Sequence, residues 1–253
     1  MISHTQKQEF IDRGFLQLTE VVPRGMCDAA LQAINHSIGN VGKTGGDPER
    51  FTVDQFCYEL AGQPMMIDVF NKTGVRRAAE TLMGEGCMVP VERVQIAPRF
   101  PLAPNEEPPG LHGHIDGIGG GFNGTAKGNY IRTFTLFAVV YLVDVPETKS
   151  GNFTVWPGSH WELQEYFRDV GHEVLSQGVP HIHHAQEPVM ITGRAGDVVL
   201  AHHLMQHEGG YNLSPNVRHA LISRLRHRDW VAPGYEAYTN IWDEWIGLKE
   251  LID

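Results

Sequence analysis

The sequence predicts a mainly β fold with flanking helices: a double-stranded β-helix (jelly-roll) core behind an N-terminal helical buttress. Three observations point there. Helical periodicity is confined to residues 1–88, and beyond them short β-branched and aromatic runs alternate with Gly and Pro punctuation. The chain has 253 residues with 42% hydrophobic and 20% charged content, enough to bury one sizeable core.

The elements follow in order. Thr5-x-x-Gln8 reads as a capping box for a first helix with Phe10 and Ile11 on its apolar face, ended by Gly14. Residues 15–18 then form a short strand. Pro23 opens a second helix, because Cys27, Leu31, Ile34 and Ile38 recur along one side of it. A third helix covers residues 75–83 and stops at Gly84. Strands are expected over 91–97, 133–143, 151–156, 189–192, 197–200 and 220–225. No internal repeat or linker interrupts them. The expected organisation is one domain, 1–253: a mostly helical part (1–88), the jelly-roll core (89–228) and an aromatic C-terminal extension (229–253).

Composition narrows the partners. A formal net charge of −10 disfavours nucleic acid and acidic membrane surfaces, which such a field repels. The three cysteines are widely spaced and form neither a CxxC pair nor a disulfide framework, as expected in a reducing cytosol. Met1 to Phe10 lack an apolar signal core, and the most apolar run, Phe134 to Val143, is too short to span a bilayer. These features predict a soluble, cytoplasmic monomer or homodimer that acts on a small molecule.

Residues 103–130 form a long loop rich in Pro and then Gly. Gly119-x-Gly121-x-x-Gly124 formally fits a dinucleotide fingerprint, but it lacks the strand–turn–helix setting that gives the pattern meaning. Such a loop reads instead as a connection or lid. Of fourteen histidines, eight cluster at 112–114, 181–184 and 202–207. Within the first cluster, His114 and Asp116 stand two apart, so on an extended chain both project to one face and can grip one ion. A His-x-Asp pair by itself is more often a hydrogen-bonded or surface pair; two imidazoles and one carboxylate mark a non-haem iron site only when a distant strand supplies the second histidine.

The segment from Gly196-Asp197 through His207 to Arg218, eleven residues further on, resembles the phytanoyl-CoA dioxygenase-like family of Fe(II)/2-oxoglutarate oxygenases. Gly210, Asn212 and Ser214 fit the same pattern, as does the strand and turn running from Gly151 to Pro157-Gly158-Ser159-His160. The likeness extends in order from about residue 5 to residue 228. It implies an iron site of His114, Asp116 and His207, with Arg218 binding the far carboxylate of 2-oxoglutarate and with O2 as co-reactant. Two positions depart from the pattern. Some members carry a cosubstrate-binding Ser where this chain has Gly209, and a Trp often precedes the first ligand where this chain has Gly113. Asp116 argues against the halogenating relatives, which replace that carboxylate.

An Arg fork suits a carboxylate, with a structural salt bridge as the bland alternative for Arg218. Gln95 and Thr135 lie on strands expected to face the pocket and could donate to 2-oxoglutarate, or could serve cross-strand contacts. His112 shares the parity of His114 but reads as a neighbour of the site and not a ligand. His203 is expected on the same strand as His207, one layer down the barrel. The tract from His181 to His184 is expected as an exposed loop. These residues predict a hydroxylase that couples oxidation of a small metabolite to decarboxylation of 2-oxoglutarate to succinate and CO2. A cupin-like isomerase or hydrolase using the triad without 2-oxoglutarate is the alternative, and a non-catalytic binding module a third.

Overall fold

The computed structural model describes residues 2–41, 56–116, 130–178, 180, 182–231 and 234–252. The Gly119 to Gly124 pattern and His181 lie outside the described residues.

The chain opens with α1 (His4–Arg13), β1 (Phe15–Leu18) and α2 (Arg24–His36), the last continued by a π-helical turn, Ser37–Val41. The capping box of α1 sits two residues earlier than the sequence suggests: Ser3 accepts from the Gln6 N–H and Gln6 closes back on Ser3. Gly14 ends the helix at φ 78°, the left-handed cap that lets the chain turn into β1. Two further helices follow, α3 (Pro64–Asn71) and α4 (Gly74–Met83). The first escapes sequence periodicity because it is short and begins on a proline.

Strands β2 (Gln95–Arg99), β3 (Leu136–Tyr141) and β4 (Phe153–Val155) lead to α5 (Ser159–Val170). Then come β5 (Val189–Ile191), β6 (Val198–His202), β7 (His207–Gly209) and β8 (Arg218–Leu225), and a short terminal helix, α6 (Lys249–Ile252). The strands form two antiparallel sheets, in the order β1-β6-β3-β8-β2 and β5-β4-β7, with flanking helices, the arrangement of a jelly-roll core.

Strand β3 shows where the core sits. Leu136, Ala138 and Val140 join one apolar cluster with Phe10, Ile34, Phe70 and Leu82 from the helices. The alternate residues Phe137, Val139 and Tyr141 join a second, with Phe153, Val155 and Ile191 from the smaller sheet. Every residue of β3 is therefore buried, which explains why the Leu136 to Val143 run is uniformly apolar. Among the described residues, no helix is long and apolar enough to cross a membrane. The Tyr141 hydroxyl ties the sheets together, donating to the Ile191 carbonyl at 2.8 Å and accepting from the Phe153 N–H at 3.0 Å. Pro98 lies within β2, where its missing N–H is tolerated because β2 is an edge strand.

One expected strand is two. Residues 198–209 do not run straight: β6 ends at His202, the chain turns, and β7 begins at His207 in the other sheet. His203 is thus not a layer below His207. It is buried, with Nε2 donating to the Ala237 carbonyl at 3.0 Å. Alternation of side chains cannot reveal such a switch, since the turn itself is buried throughout.

Candidate metal centre and its cavity

The switch between sheets creates the site. As β7 begins, its first residue meets the 111–116 segment in a single antiparallel bridge: His114 N–H donates to the His207 carbonyl and His207 N–H to the His114 carbonyl, both at 2.9 Å. Two backbone bonds thus set the imidazoles side by side, with ring centroids 4.8 Å apart and planes tilted by 51°. Asp116, two residues on, brings its carboxylate between them. Its Oδ1 lies 3.3 Å from His114 Nε2 and 3.8 Å from His207 Nε2.

These donors fit a metal ion. One ligand atom from each residue lies within 4.8 Å of the other two, and cis ligands about 2.1 Å from an ion sit roughly 3 Å apart. His207 Nδ1 donates to the Met205 carbonyl at 2.8 Å, which leaves the Nε2 lone pair aimed at the site. Burial pushes the His207 ring down to about 4, with Asp116 opposing the shift, so the imidazole is neutral near pH 7. Burial alone would raise Asp116; Arg224, the hydrogen bond with His114 and the His207 ring outweigh it and hold the carboxyl well below the usual range. The set is one carboxylate and two imidazoles, the donor chemistry of a divalent transition metal.

A cavity of about 190 Å³ opens beside these residues. Strands β2 and β8 build its floor through Gln95, Ala97 and Arg99 on one and Arg218, Ile222 and Arg224 on the other. Phe137, Val139 and Phe153 supply an apolar wall, and Gly209 part of the rim. A larger cleft of about 530 Å³ lies near Leu31 and Ser214, but it holds no such ligand cluster.

Five of the six residues singled out from sequence meet here. His114, Asp116, His207, Arg218 and Gln95 all line the cavity. Arg218 is buried, donating from Nε to the Gly151 carbonyl at 2.5 Å and from a terminal nitrogen to the Ala97 carbonyl at 2.8 Å. Its surroundings lower it to about 10, first through burial, with Tyr141 opposing and Arg99 adding to the shift. Gln95 accepts from Arg224 at 3.0 Å.

Thr135 does not join them. It keeps the parity of Phe137 and Val139 but precedes the start of β3, and its hydroxyl donates to Glu244 at 2.6 Å. Glu244 also pairs with the buried Arg132, so Thr135 belongs to a polar knot under the C-terminal segment. His112 is exposed and stands outside the ligand group. His184, expected in an exposed loop, is instead held between Glu162 at 2.5 Å and Gln206 at 2.6 Å. Gln206 in turn donates to the His112 carbonyl at 3.1 Å, so this chain of contacts braces the segment carrying His114.

Three residues missed from sequence complete the picture. Arg224 pairs with Asp116 Oδ2 through Nε at 2.7 Å and a terminal nitrogen at 2.6 Å, leaving Oδ1 toward the histidines. Arg99 lines the cavity opposite Arg218. Glu208 accepts the N–H groups of His112 and Gly113 at 3.0 and 2.9 Å, clamping the loop just before His114. Strand parity was the available signal for the two arginines, since Arg99 follows Gln95 and Arg224 follows Arg218 by even steps. Both departures from the family pattern also find a cause. A side chain at Gly113, φ 61°, would run into Trp156 and Gln206, and one at Gly209 would meet the Arg99 guanidinium.

No protein-family profile matches the chain, and no curated protein does. Solved structures do. The chain is similar to the epimerase SnoN, solved with Fe3+, alpha ketoglutarate and nogalamycin RO, at 17% identity and TM-score 0.57, over 88% of this chain and 82% of that one. It is similar to SnoK, a non-heme alpha ketoglutarate dependent carbocyclase from nogalamycin biosynthesis, at 21% identity and TM-score 0.54, over 93% and 90%. EctD from S. alaskensis, solved with 2-oxoglutarate and 5-hydroxyectoine, matches at 15% identity and TM-score 0.59, over 92% and 79%. At these identities the likeness is one of fold: the chain has the fold of the 2-oxoglutarate-dependent non-haem iron enzymes.

Proposed function

We propose that this chain is an Fe(II)- and 2-oxoglutarate-dependent oxygenase acting on a small organic metabolite, with residues 1–253 as one catalytic domain. The observation that carries the reading is the conjunction of a His114, Asp116 and His207 cluster with a cavity that Arg218 also lines. The order Gly196-Asp197, His207 and Arg218 further supports the phytanoyl-CoA dioxygenase-like branch of that superfamily.

When bound, iron with 2-oxoglutarate and O2 supplies the oxidising power, the cosubstrate leaving as succinate and CO2. The chain's own residues do the rest. His114, Asp116 and His207 would hold the metal at the cavity they line. Arg224 occupies the second oxygen of Asp116 and so favours single-oxygen ligation. Arg218, fixed by two backbone carbonyls, presents its remaining N–H groups to a carboxylate. Phe137, Val139 and Phe153 keep water from the cavity. We take hydroxylation as the outcome, with epimerisation and ring closure, the activities of SnoN and SnoK, decided by how the substrate lies.

The test is spectroscopic. Purified protein given Fe(II) and 2-oxoglutarate without oxygen should develop a visible charge-transfer band, weakened in Arg218→Ala and absent in Asp116→Ala. No band in the unaltered protein refutes the reading. Full activity in Arg218→Ala would favour an enzyme that uses the triad without 2-oxoglutarate.

A further inference from the structure

Arg99 and Arg218 are direct partners across the β2–β8 pair. Like charges in register destabilise a sheet unless something offsets them. Three guanidinium groups line this cavity, those of Arg99, Arg218 and Arg224, against the single carboxylate of Asp116. Asp116 pairs with Arg224. Among the described residues, neither Arg99 nor Arg218 has a carboxylate within ion-pair distance. Glu208 is near enough to raise Arg99, against the larger lowering by burial, but it is committed to the His112 and Gly113 N–H groups.

The backbone has been cleared to let these two side chains converge. A β-carbon on Gly209 would lie 2.3 Å from Nε and from a terminal nitrogen of Arg99. A β-carbon on Gly151 would lie 2.7 Å from that of Arg99 and 3.2 Å from that of Arg218. Arg99 donates from Nε to the Gly209 carbonyl at 3.1 Å and from a terminal nitrogen to Pro98 at 3.3 Å, and the guanidinium lines the cavity.

We propose that Arg99 is the second cation of a two-guanidinium seat that it shares with Arg218, that the seat takes the distal carboxylate of 2-oxoglutarate, and that Gly209 is the space that admits it. This rests on the proposed function above. A carboxylate between the arginines offsets their repulsion and satisfies donors that the protein leaves to the cavity. The absent side chain at 209 is, in this chain, the condition for the second arginine.

The test is binding, not turnover. Manganese-loaded protein is titrated calorimetrically, without oxygen, with 2-oxoglutarate and with 2-oxobutyrate, which keeps the keto-acid end and lacks the distal carboxylate. Arg99→Gln should weaken 2-oxoglutarate about 10- to 100-fold, the range of a lost charge-assisted hydrogen bond, and change 2-oxobutyrate less than about twofold. Arg99→Lys should recover part of the loss. Gly209→Ala, which pushes the flexible end of Arg99 aside without touching the backbone, should reproduce the selective loss in a protein that still contains Arg99. Arg99→Gln with unaltered 2-oxoglutarate binding overturns the proposal and leaves the oxygenase reading intact, as does equal weakening of both ligands. If unaltered protein binds neither keto acid, both readings fall together.

Discussion

The two histidines of the candidate metal centre are held in opposite ways. His207 begins a strand, its side chain is 5% exposed, and its ring packs against those of Phe137 and Phe153 at 4.5 and 5.4 Å. His114 sits on a loop, its side chain is 48% exposed, and it is located by one backbone bridge and the clamp from Glu208. One side of the site is therefore fixed by the core and the other by a few hydrogen bonds at the rim. Rigid placement of a ligand does not require a rigid element, provided the neighbouring strand offers the loop its edge.

That contrast can be broken in steps of decreasing size. Asp116→Ala or His207→Ala should abolish stoichiometric metal binding, read by metal analysis after dialysis, because each removes a donor from the group of three. Loss confined to one of them would mean that another group ligates. Glu208→Ala should weaken metal about 10- to 100-fold, as outer contacts that orient a ligand typically do, without changing the melting temperature of metal-free protein by more than a few degrees. Equal loss of affinity and of fold would instead make Glu208 structural. Glu208→Gln should recover part of the affinity, since both N–H groups bond to one oxygen, Oε2, and an amide oxygen in its place accepts them without the charge.

Acid should act from the buried side. Burial lowers His160 to about 4 and, with Arg218, lowers His219 to about 4; it also pushes His202 and His203 well below the usual value. These rings stay neutral in the folded state while their unfolded counterparts take protons below about pH 6.5. Their contribution is present above that pH and is lost as pH falls from about 6.5 toward 4, by up to about 1.4 kcal/mol per group per pH unit. Urea melts at pH 7.5 and 5.5 should show the drop, and equal stability at both would mean that water reaches these rings. The smallest effect belongs to His112→Ala, which should leave metal affinity within about twofold because only its backbone is engaged.

The sequence made the candidate ligands legible for a physical reason. His114 and Asp116 are two apart on extended chain, and His207 and Arg218 stand at a spacing that the β7–β8 connection imposes. Arg99 and Arg224 were legible by parity alone, once Gln95 and Arg218 were placed. Thr135 was not, since its partner Glu244 lies 109 residues away in the C-terminal segment and no local pattern announces that pairing. The same holds for the change of sheet between His202 and His207, where burial on both sides erases alternation. Most strands of the core were visible as apolar runs, whereas α3 and α5 were hidden behind a proline and a Pro-Gly turn.

Arg224 bears on how the centre handles its ion. With both of its donors on Asp116 Oδ2, it acts as a resident counter-cation, so the carboxylate never waits in a buried pocket with its charge uncompensated. The three donors and this counter-cation thus form one compact group. Chelation should strip the metal from a folded protein, and one divalent ion should exchange for another without passage through an unfolded chain.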